Sequence, residues 1–221
     1  MPITPFHFGP GILIKSAAQR KISWAMFALA NVAIDLEPIV YFALTGDPAH
    51  RHLHTYLGAG LLAVACALIG RPLCEKLLVF WNSRLDRAQT LWLAVETSIP
   101  LRMGLISALL GTWSHVLLDS VMHADIQPAW PFSEVNPLRW VWPMEFLNLW
   151  CLLLGLWGFL RLLTARWDAV RKDVLDGLPQ PEELRIPAER LVRKAVGVVG
   201  AAIGVFCVIS LFCNALQNRN W

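Results

Sequence analysis

The segment MGLISALLGTWSHVLLDSVM, residues 103–122, places two ionisable side chains inside an apolar helix. Its length matches the roughly 20 residues that a helix needs to cross a bilayer. His115 and Asp119 are four positions apart, so they lie on one helical face, and His123 follows one turn later. Ionisable groups are costly in lipid, and an imidazole and a carboxylate at this spacing can bind one cation. The segment predicts a membrane protein with a metal site; a buried His–Asp hydrogen bond that stabilises helix packing is the alternative.

The composition of the chain favours lipid as the surrounding solvent. Of its 221 residues, 56% are hydrophobic and 16% are charged, and the mean hydropathy is +0.50. A soluble domain usually carries about 25% charged residues. The chain has 11 Trp but only 2 Tyr, and the indole ring prefers the headgroup level of a membrane. Basic residues are scattered rather than gathered on one polar face, which excludes a nucleic-acid-binding protein.

Five hydrophobic segments predict an all-α, polytopic membrane bundle. A shorter helix is predicted over 11–18, and we expect one membrane-embedded domain, 1–221, with a polar cytoplasmic loop over 168–190. The clearest of the five segments is the last, which carries no charge. The predicted principal helices cover 24–43, 56–69, 103–122, 146–160 and 196–216.

The positions of lysine and arginine predict the topology. If the helices alternate and the 161–194 segment is cytoplasmic, 16 of the 19 basic side chains lie inside and only Arg51, Arg139 and Arg219 lie outside. Such an excess follows the positive-inside rule for short loops. The histidine-bearing loops are therefore predicted on the outer face.

The stretch His50-Arg51-His52-Leu53-His54 is a second source of ligands. On a helix, His50 and His54 would share a face and His52 would point elsewhere, so His54 and His50 are candidate ligands and His52 a bystander. Arg51 could bind a substrate phosphate, because guanidinium matches phosphate with two hydrogen bonds; contact with lipid headgroups is the alternative. A solvated or pH-sensitive loop is the alternative for the whole stretch.

Asp35 and Glu37 stand near the end of a predicted helix. Two positions apart, they cannot share a helical face, so Pro38 and a broken helix end are predicted to bring both toward a site. Asp35 is the better ligand, because Asn31 lies on the same face. Glu37 is a second ligand or a general base, and a catalytic role is predicted for both carboxylates. A capping or headgroup-facing pair is the alternative.

His7 and the 130–133 loop complete the candidate site. With a tight turn at Gln19-Arg20-Lys21, His7 and Asp35 each lie 14 residues from Lys21, about 21 Å above the turn at 1.5 Å per residue. A helical hairpin would therefore set both at one level. The loop Trp130-Pro131-Phe132-Ser133 could cover the site, with Trp130 and Ser133 as substrate contacts. His123 is either a ligand or a helix-end residue without metal.

These elements follow one another as in the bacterial membrane-bound metal-dependent hydrolase family, which the chain resembles over roughly residues 4–140. The shared elements are Pro5-Phe6-His7, Asp35-x-Glu37, His50-Arg…His54-Thr and Ser114-His115-x-x-x-Asp119…Trp130-Pro131-Phe132. Two departures stand out. The chain has Ile34-Asp35-Leu36-Glu37-Pro38 where the family commonly has Pro-Asp-x-Asp-His, and His50 and His54 are four rather than five apart. That family is itself similar to zinc-dependent phospholipase C and single-strand nucleases.

The resemblance implies a metal site for one to three ions, with zinc favoured by the imidazoles. It implies metal-assisted hydrolysis of a phosphoester in a phospholipid or lipid-linked substrate, at the periplasmic face of the inner membrane. Metal transport or sensing and a non-catalytic assembly role are the alternatives. The implied ligands are His7, Asp35, His50, His54, His115 and Asp119.

Zinc suits the imidazole-rich part of this ligand set, and manganese or magnesium suits its carboxylates. A transport path would need polar residues across the whole membrane, but the cytoplasmic halves of the predicted helices lack His, Asp and Glu. A site confined to one face, as in an enzyme, is therefore favoured over a channel.

Overall fold

The computed structural model describes residues 4–46 and 50–176, and this part of the chain is helical, with no β-strand. Short 3-10 turns cover Thr4–His7 and Gln19–Lys21, and a π-helical turn, Cys66–Gly70, joins the fourth and fifth α-helices. The α-helices are α1 Phe8–Ala18, α2 Trp24–Ile34, α3 Leu36–Thr45, α4 Tyr56–Ala65, α5 Arg71–Ser83, α6 Arg87–Leu93, α7 Leu101–Met122 and α8 Met144–Asp176.

Four helical stretches of the described residues are long and apolar enough to cross a membrane. The all-α prediction is confirmed for this part of the chain, and the predicted 196–216 helix lies outside it. Leu61, Leu68 and Ile69 are among many large apolar side chains left exposed on these helices, as expected where lipid is the solvent. The four stretches are Trp24–Thr45, Tyr56–Ser83, Leu101–Met122 and Met144–Lys172.

Two predicted boundaries are wrong. The helix predicted over 56–69 continues through the π-helical turn to Ser83, and α8 runs to Asp176 instead of ending at 160. The polar loop predicted from 168 therefore begins as helix, and its remainder lies outside the described residues. Beyond residue 160, Arg161 is a good helix former, so the helix continues. Beyond residue 69, the π-helical turn leads into α5, where Pro72 stands in the first turn and needs no N–H partner.

Helix α7 lies at the centre of the bundle and packs closely on α2. Ala30 and Ala108 are fully buried in this contact. A Cβ atom on Gly111 would lie 2.6 Å from the carbonyl oxygen of Phe27, so the two backbones approach more closely than a larger residue would permit. Small residues at such interfaces are how helices associate in lipid, where no hydrophobic effect draws them together.

Helix α1 packs on α8 in the same backbone-to-backbone manner. A Cβ atom on Gly9 would overlap the carbonyl oxygen of Cys151, and one on Gly158 would lie 2.5 Å from the backbone nitrogen of Leu13. This contact fixes the start of α1, and His7 is the residue that immediately precedes α1.

We expect Gly9→Leu to destabilise the protein by about 1–3 kcal/mol or more, because the overlap is with rigid backbone and α1 must move away from α8. The thermal unfolding midpoint in detergent is the measurement. Gly60→Ala is the matched control, since a Cβ there meets nothing closer than the Trp113 indole nitrogen at 3.8 Å. Equal midpoints for the Gly9→Leu protein and the wild type would contradict the packing described here.

Candidate metal centre

Four side chains direct their ligand atoms toward one point at the end of α7. Nε2 of His115 lies 3.1 Å from Oδ1 of Asp35 and 3.1 Å from Oδ2 of Asp119. Nε2 of His54 lies 3.9 Å and 3.7 Å from the same two oxygens. Donor atoms on a tetrahedral zinc ion with bonds of about 2.0–2.1 Å are about 3.3 Å apart. The four residues, here called the buried cluster, therefore have the spacing of metal ligands.

Each of the three segments that supply the buried cluster is shaped by its local sequence. His115 and Asp119 lie one turn apart on α7, as their spacing predicts. Asp35 occupies the break between α2 and α3, where Pro38 lacks the N–H group that a continuous helix would use. The four donors therefore sit on rigid helical segments and on one capped loop.

His54 lies in that loop, not in a helix. Thr55 is the N-cap of α4, and its hydroxyl accepts a hydrogen bond of 2.9 Å from the backbone N–H of Gly58. The prediction that His50 and His54 share a helical face is therefore wrong, because helical periodicity begins only after Thr55. The loop also depends on a glycine, since a Cβ on Gly58 would overlap the carbonyl oxygen of His52.

The chemistry of the donor set fits a metal ion. Nε2 of His54, Nε2 of His115 and Oδ1 of Asp119 are buried, and none of their close contacts with neighbouring imidazole and carboxylate groups of the described residues has hydrogen-bond geometry. Buried polar atoms are nearly always paired, and leaving one unpaired costs about 1–3 kcal/mol. Burial also lowers the pKa of His54, which favours the neutral imidazole that binds metal. A cation among these atoms would satisfy all of them.

His7 adjoins the buried cluster from α1. Its Nε2 atom lies 3.1 Å from Oδ1 of Asp119, and its Nδ1 atom lies 3.2 Å from Nδ1 of His115. Nε2 of His7 is also buried, and its close contact with Asp119 does not have hydrogen-bond geometry. His7 and Asp35 thus reach the same cluster from either side of the Gln19–Lys21 turn.

Glu37 lies behind His54, outside the buried cluster. Its Oε2 atom accepts hydrogen bonds from Nδ1 of His54 at 3.0 Å and from the backbone N–H of Arg51 at 3.1 Å. Its Oε1 atom accepts from the backbone N–H of Leu53 at 3.0 Å. A carboxylate on Nδ1 directs Nε2 of the same ring toward the metal site. The geometry therefore favours a positioning role for Glu37 over the predicted role of general base.

Asn31 orients the ring of His115, as Glu37 orients the ring of His54. Its Oδ1 atom lies 3.0 Å from Nδ1 of His115, and its Nδ2 atom donates to the carbonyl of Gly111 at 3.2 Å. The second bond fixes which end of the amide faces the imidazole. Since Oδ1 accepts from Nδ1, Nε2 of His115 keeps its lone pair for the site. The sequence placed Asn31 on the face of Asp35 without predicting this bond.

Two of the predicted ligands belong to a separate group. His50 and His123 lie with Asp125, and one ligand atom from each of the three falls within 4.8 Å of the others. His50 is therefore not in the buried cluster, where it was predicted beside His54. His123 follows the last residue of α7 in an extended conformation, so it does not continue the face of His115. We call these three residues the outer cluster.

Asp125 is a site residue that the sequence analysis missed. Its Oδ2 atom accepts a hydrogen bond of 3.0 Å from the backbone N–H of His50. The same oxygen lies 3.0 Å from Nδ1 of the His50 ring. Burial alone would raise the pKa of its carboxyl, but these hydrogen bonds hold that pKa below its usual value. Burial lowers the pKa of His123. The only sequence signal was the His-x-Asp spacing of 123–125, in a loop where spacing says little about contacts.

A cavity of about 380 Å³ opens beside the outer cluster. Arg51 and Trp130, both predicted substrate contacts, line it, and the His52 ring lies 5.3 Å from the Trp130 ring. Ser133, the third predicted substrate contact, is not among the lining residues; its hydroxyl accepts a hydrogen bond of 3.2 Å from the backbone N–H of Val135. The cavity is lined by His50, Arg51, His52, Thr55, Asp125, Gln127 and Trp130.

In comparisons with protein-family models, with curated proteins and with solved structures, nothing matches this chain. Over residues 4–46 and 50–176, the fold and the site define an all-helical class with four candidate membrane-spanning helices and a buried histidine–aspartate cluster that could hold a metal ion.

Proposed function

We propose that this protein is a membrane-bound metal-dependent hydrolase that cleaves a phosphoester of a lipid or lipid-linked substrate. The observation that carries the proposal is the buried cluster, in which ligand atoms of Asp35, His54, His115 and Asp119 lie within 4.8 Å of one another. A cavity large enough for a small ligand is lined by His50, whose ring packs against the ring of His54 in the buried cluster. A metal site beside a cavity is the arrangement that metal-assisted hydrolysis needs.

The residues of the chain have distinct parts in this reaction. The buried cluster would hold the ion, and His7 would add a ligand or a hydrogen bond to Asp119. A bound divalent metal supplies activation of water and stabilisation of negative charge on phosphate. Glu37 and Asn31 orient the imidazoles of His54 and His115. Arg51 lines the cavity and would bind the phosphate oxygens with its guanidinium.

The apolar helices support a substrate that is itself in the membrane. His54 precedes α4 by one capping residue, and His115 and Asp119 lie in the last two turns of α7, so the buried cluster lies near helix ends. An ester at the headgroup level could reach such a position without leaving the bilayer. Because Lys and Arg are distributed unequally between the two faces, we propose that the site lies on the periplasmic face of a bacterial inner membrane. We propose zinc as the ion, because two of the four ligands are imidazoles.

The test is hydrolysis by the purified full chain in detergent, prepared with a tag that contains no histidine. We expect zinc to copurify, and release of phosphorylated headgroup from mixed micelles of phospholipids. Chelation should reduce the rate to background, and added zinc should restore it. Metal content is measured by mass spectrometry and headgroup release by phosphate analysis.

The reporter for topology is independent of the chemistry. A reporter inserted in the exposed 132–135 loop, outside both clusters, should report an outer location, and a cytoplasmic result would contradict the proposed face. Tightly bound zinc without cleavage of any ester in the lipid panel would contradict hydrolysis and favour metal sensing or transport.

A further inference from the structure

The outer cluster is assembled from three places in the chain. His50 comes from the loop before α4, His123 follows the end of α7, and Asp125 lies in the turn beyond it. The two imidazoles and the carboxylate are brought together by the tertiary fold, whereas a run of acidic residues on a solvated surface is adjacent only because it is adjacent in sequence. Imidazole and carboxylate are both ligands of zinc and of other divalent ions.

The ligands of the outer cluster are held in place. His50 is buried, and both its backbone N–H and its ring contact Oδ2 of Asp125 at 3.0 Å. The rings of His50 and His123 lie 4.4 Å apart at an interplanar angle of 35°. Two imidazoles and a carboxylate held this close together form a donor set that suits a divalent cation.

The outer cluster also touches the buried cluster and the cavity. The ring of His50 packs edge-on against the ring of His54 with centroids 4.6 Å apart. His50 and Asp125 line the cavity, whereas no residue of the buried cluster does so. Three protein ligands and an open side are typical of catalytic metal sites, while sites closed by four or more protein ligands are typically structural.

We propose that His50, His123 and Asp125 bind a second divalent cation, which faces the cavity beside the ion of the buried cluster. Binding of this ion does not depend on the proposed hydrolase activity; only a part for it in catalysis rests on that function. The second ion would be the one exposed to a substrate phosphate, with Arg51 on the same cavity wall. The buried ion would then position the ligands and supply neighbouring positive charge.

The stoichiometry of bound metal tests this inference. The full chain in detergent, without a histidine tag, is stripped by chelation and dialysed against a defined zinc concentration before metal analysis. We expect two zinc ions per wild-type chain. Asp125→Asn keeps an oxygen that can accept the His50 hydrogen bonds but removes the charge, so it should lose one ion or bind it at least about 10-fold more weakly. His123→Ala should behave in the same way.

The matched control is His52→Ala, which removes an imidazole from the same cavity wall that belongs to neither cluster, and we expect it to keep two ions. One ion in the wild type, or two in both Asp125→Asn and His123→Ala, would overturn the second site and leave the buried cluster standing. Loss of both ions only when Asp119 is changed, with no effect of Asp125→Asn, would also overturn it. A wild type that binds no zinc would reject this inference and the proposed function together.

Discussion

The variant Asp119→Asn is expected to lose the metal of the buried cluster. Asp119 presents Oδ2 to His54 and His115 and Oδ1 to His7, so it is the residue through which three imidazoles meet. Asparagine has nearly the same shape but carries no charge and can offer only one oxygen. Changing an outer partner of a metal ligand already costs about 10–100-fold in affinity. Loss of a ligand should cost at least about 100-fold.

Zinc affinity, measured by competition with a chromophoric chelator, gives the result directly. Ester hydrolysis should fall to background in parallel, because the ion and the reaction are lost together. His115→Ala combined with Asp119→Ala should give the same outcome, with an additional loss of stability from the buried His115 site.

Ser120→Ala is the matched control for these variants. Ser120 is fully buried on the same helix, and its hydroxyl donates to the carbonyl of Val116 at 2.6 Å, away from the ligands. It should keep wild-type metal content. An Asp119→Asn protein that binds zinc as tightly as the wild type would show that the buried cluster is a hydrogen-bonded packing core, not a metal site.

The parts of the site that the sequence predicted are those governed by helical geometry. His115 and Asp119 lie four residues apart inside a long apolar segment, and nothing in the tertiary structure can separate them while α7 remains a helix. The helix break at Asp35 follows in the same way from Pro38, which cannot continue the hydrogen-bond ladder. Local rules were sufficient for both.

The division of the histidines into two clusters could not be predicted from local rules. His50 and His54 lie in a loop, where side-chain direction depends on tertiary contacts such as those of Glu37 with the backbone of Arg51 and Leu53. Asp125 is in a turn and is placed by its bonds to His50, 75 residues away along the chain. Contacts of that separation leave no periodic signal.

The contact between α1 and α8 could not be predicted from the sequence either. Gly9 and Gly158 permit the close approach, but a glycine in an apolar helix does not indicate which partner it meets. The position of His7 depends on that contact. The spacing from Lys21 predicted only the level of His7 in the bundle, not the helix that would hold it there.

Glu37→Ala is expected to have the second large effect, on both stability and metal binding. Its carboxylate accepts bonds from the backbone of Arg51 and Leu53 and from the ring of His54, and it is 8% exposed. Removing it leaves these donors without their acceptor, at about 1–3 kcal/mol for each that stays buried. We expect a lower unfolding midpoint and a 10–100-fold loss of zinc affinity. Glu134→Ala, on the exposed loop after α7, is the control and should change neither.

Glu37→Gln separates a positioning residue from a general base. Its amide oxygen can still accept from Nδ1 of His54, so the loop should fold and zinc should bind more weakly than in the wild type. If Glu37 only positions His54, saturating zinc will restore most of the hydrolysis rate, because the defect is in metal occupancy. If Glu37 removes a proton in the reaction, the rate will stay low at full zinc occupancy, because an amide cannot accept that proton. Rate measured against zinc concentration decides between the two, and we expect restoration because the Glu37 oxygens are already occupied by hydrogen bonds to the 51–54 loop.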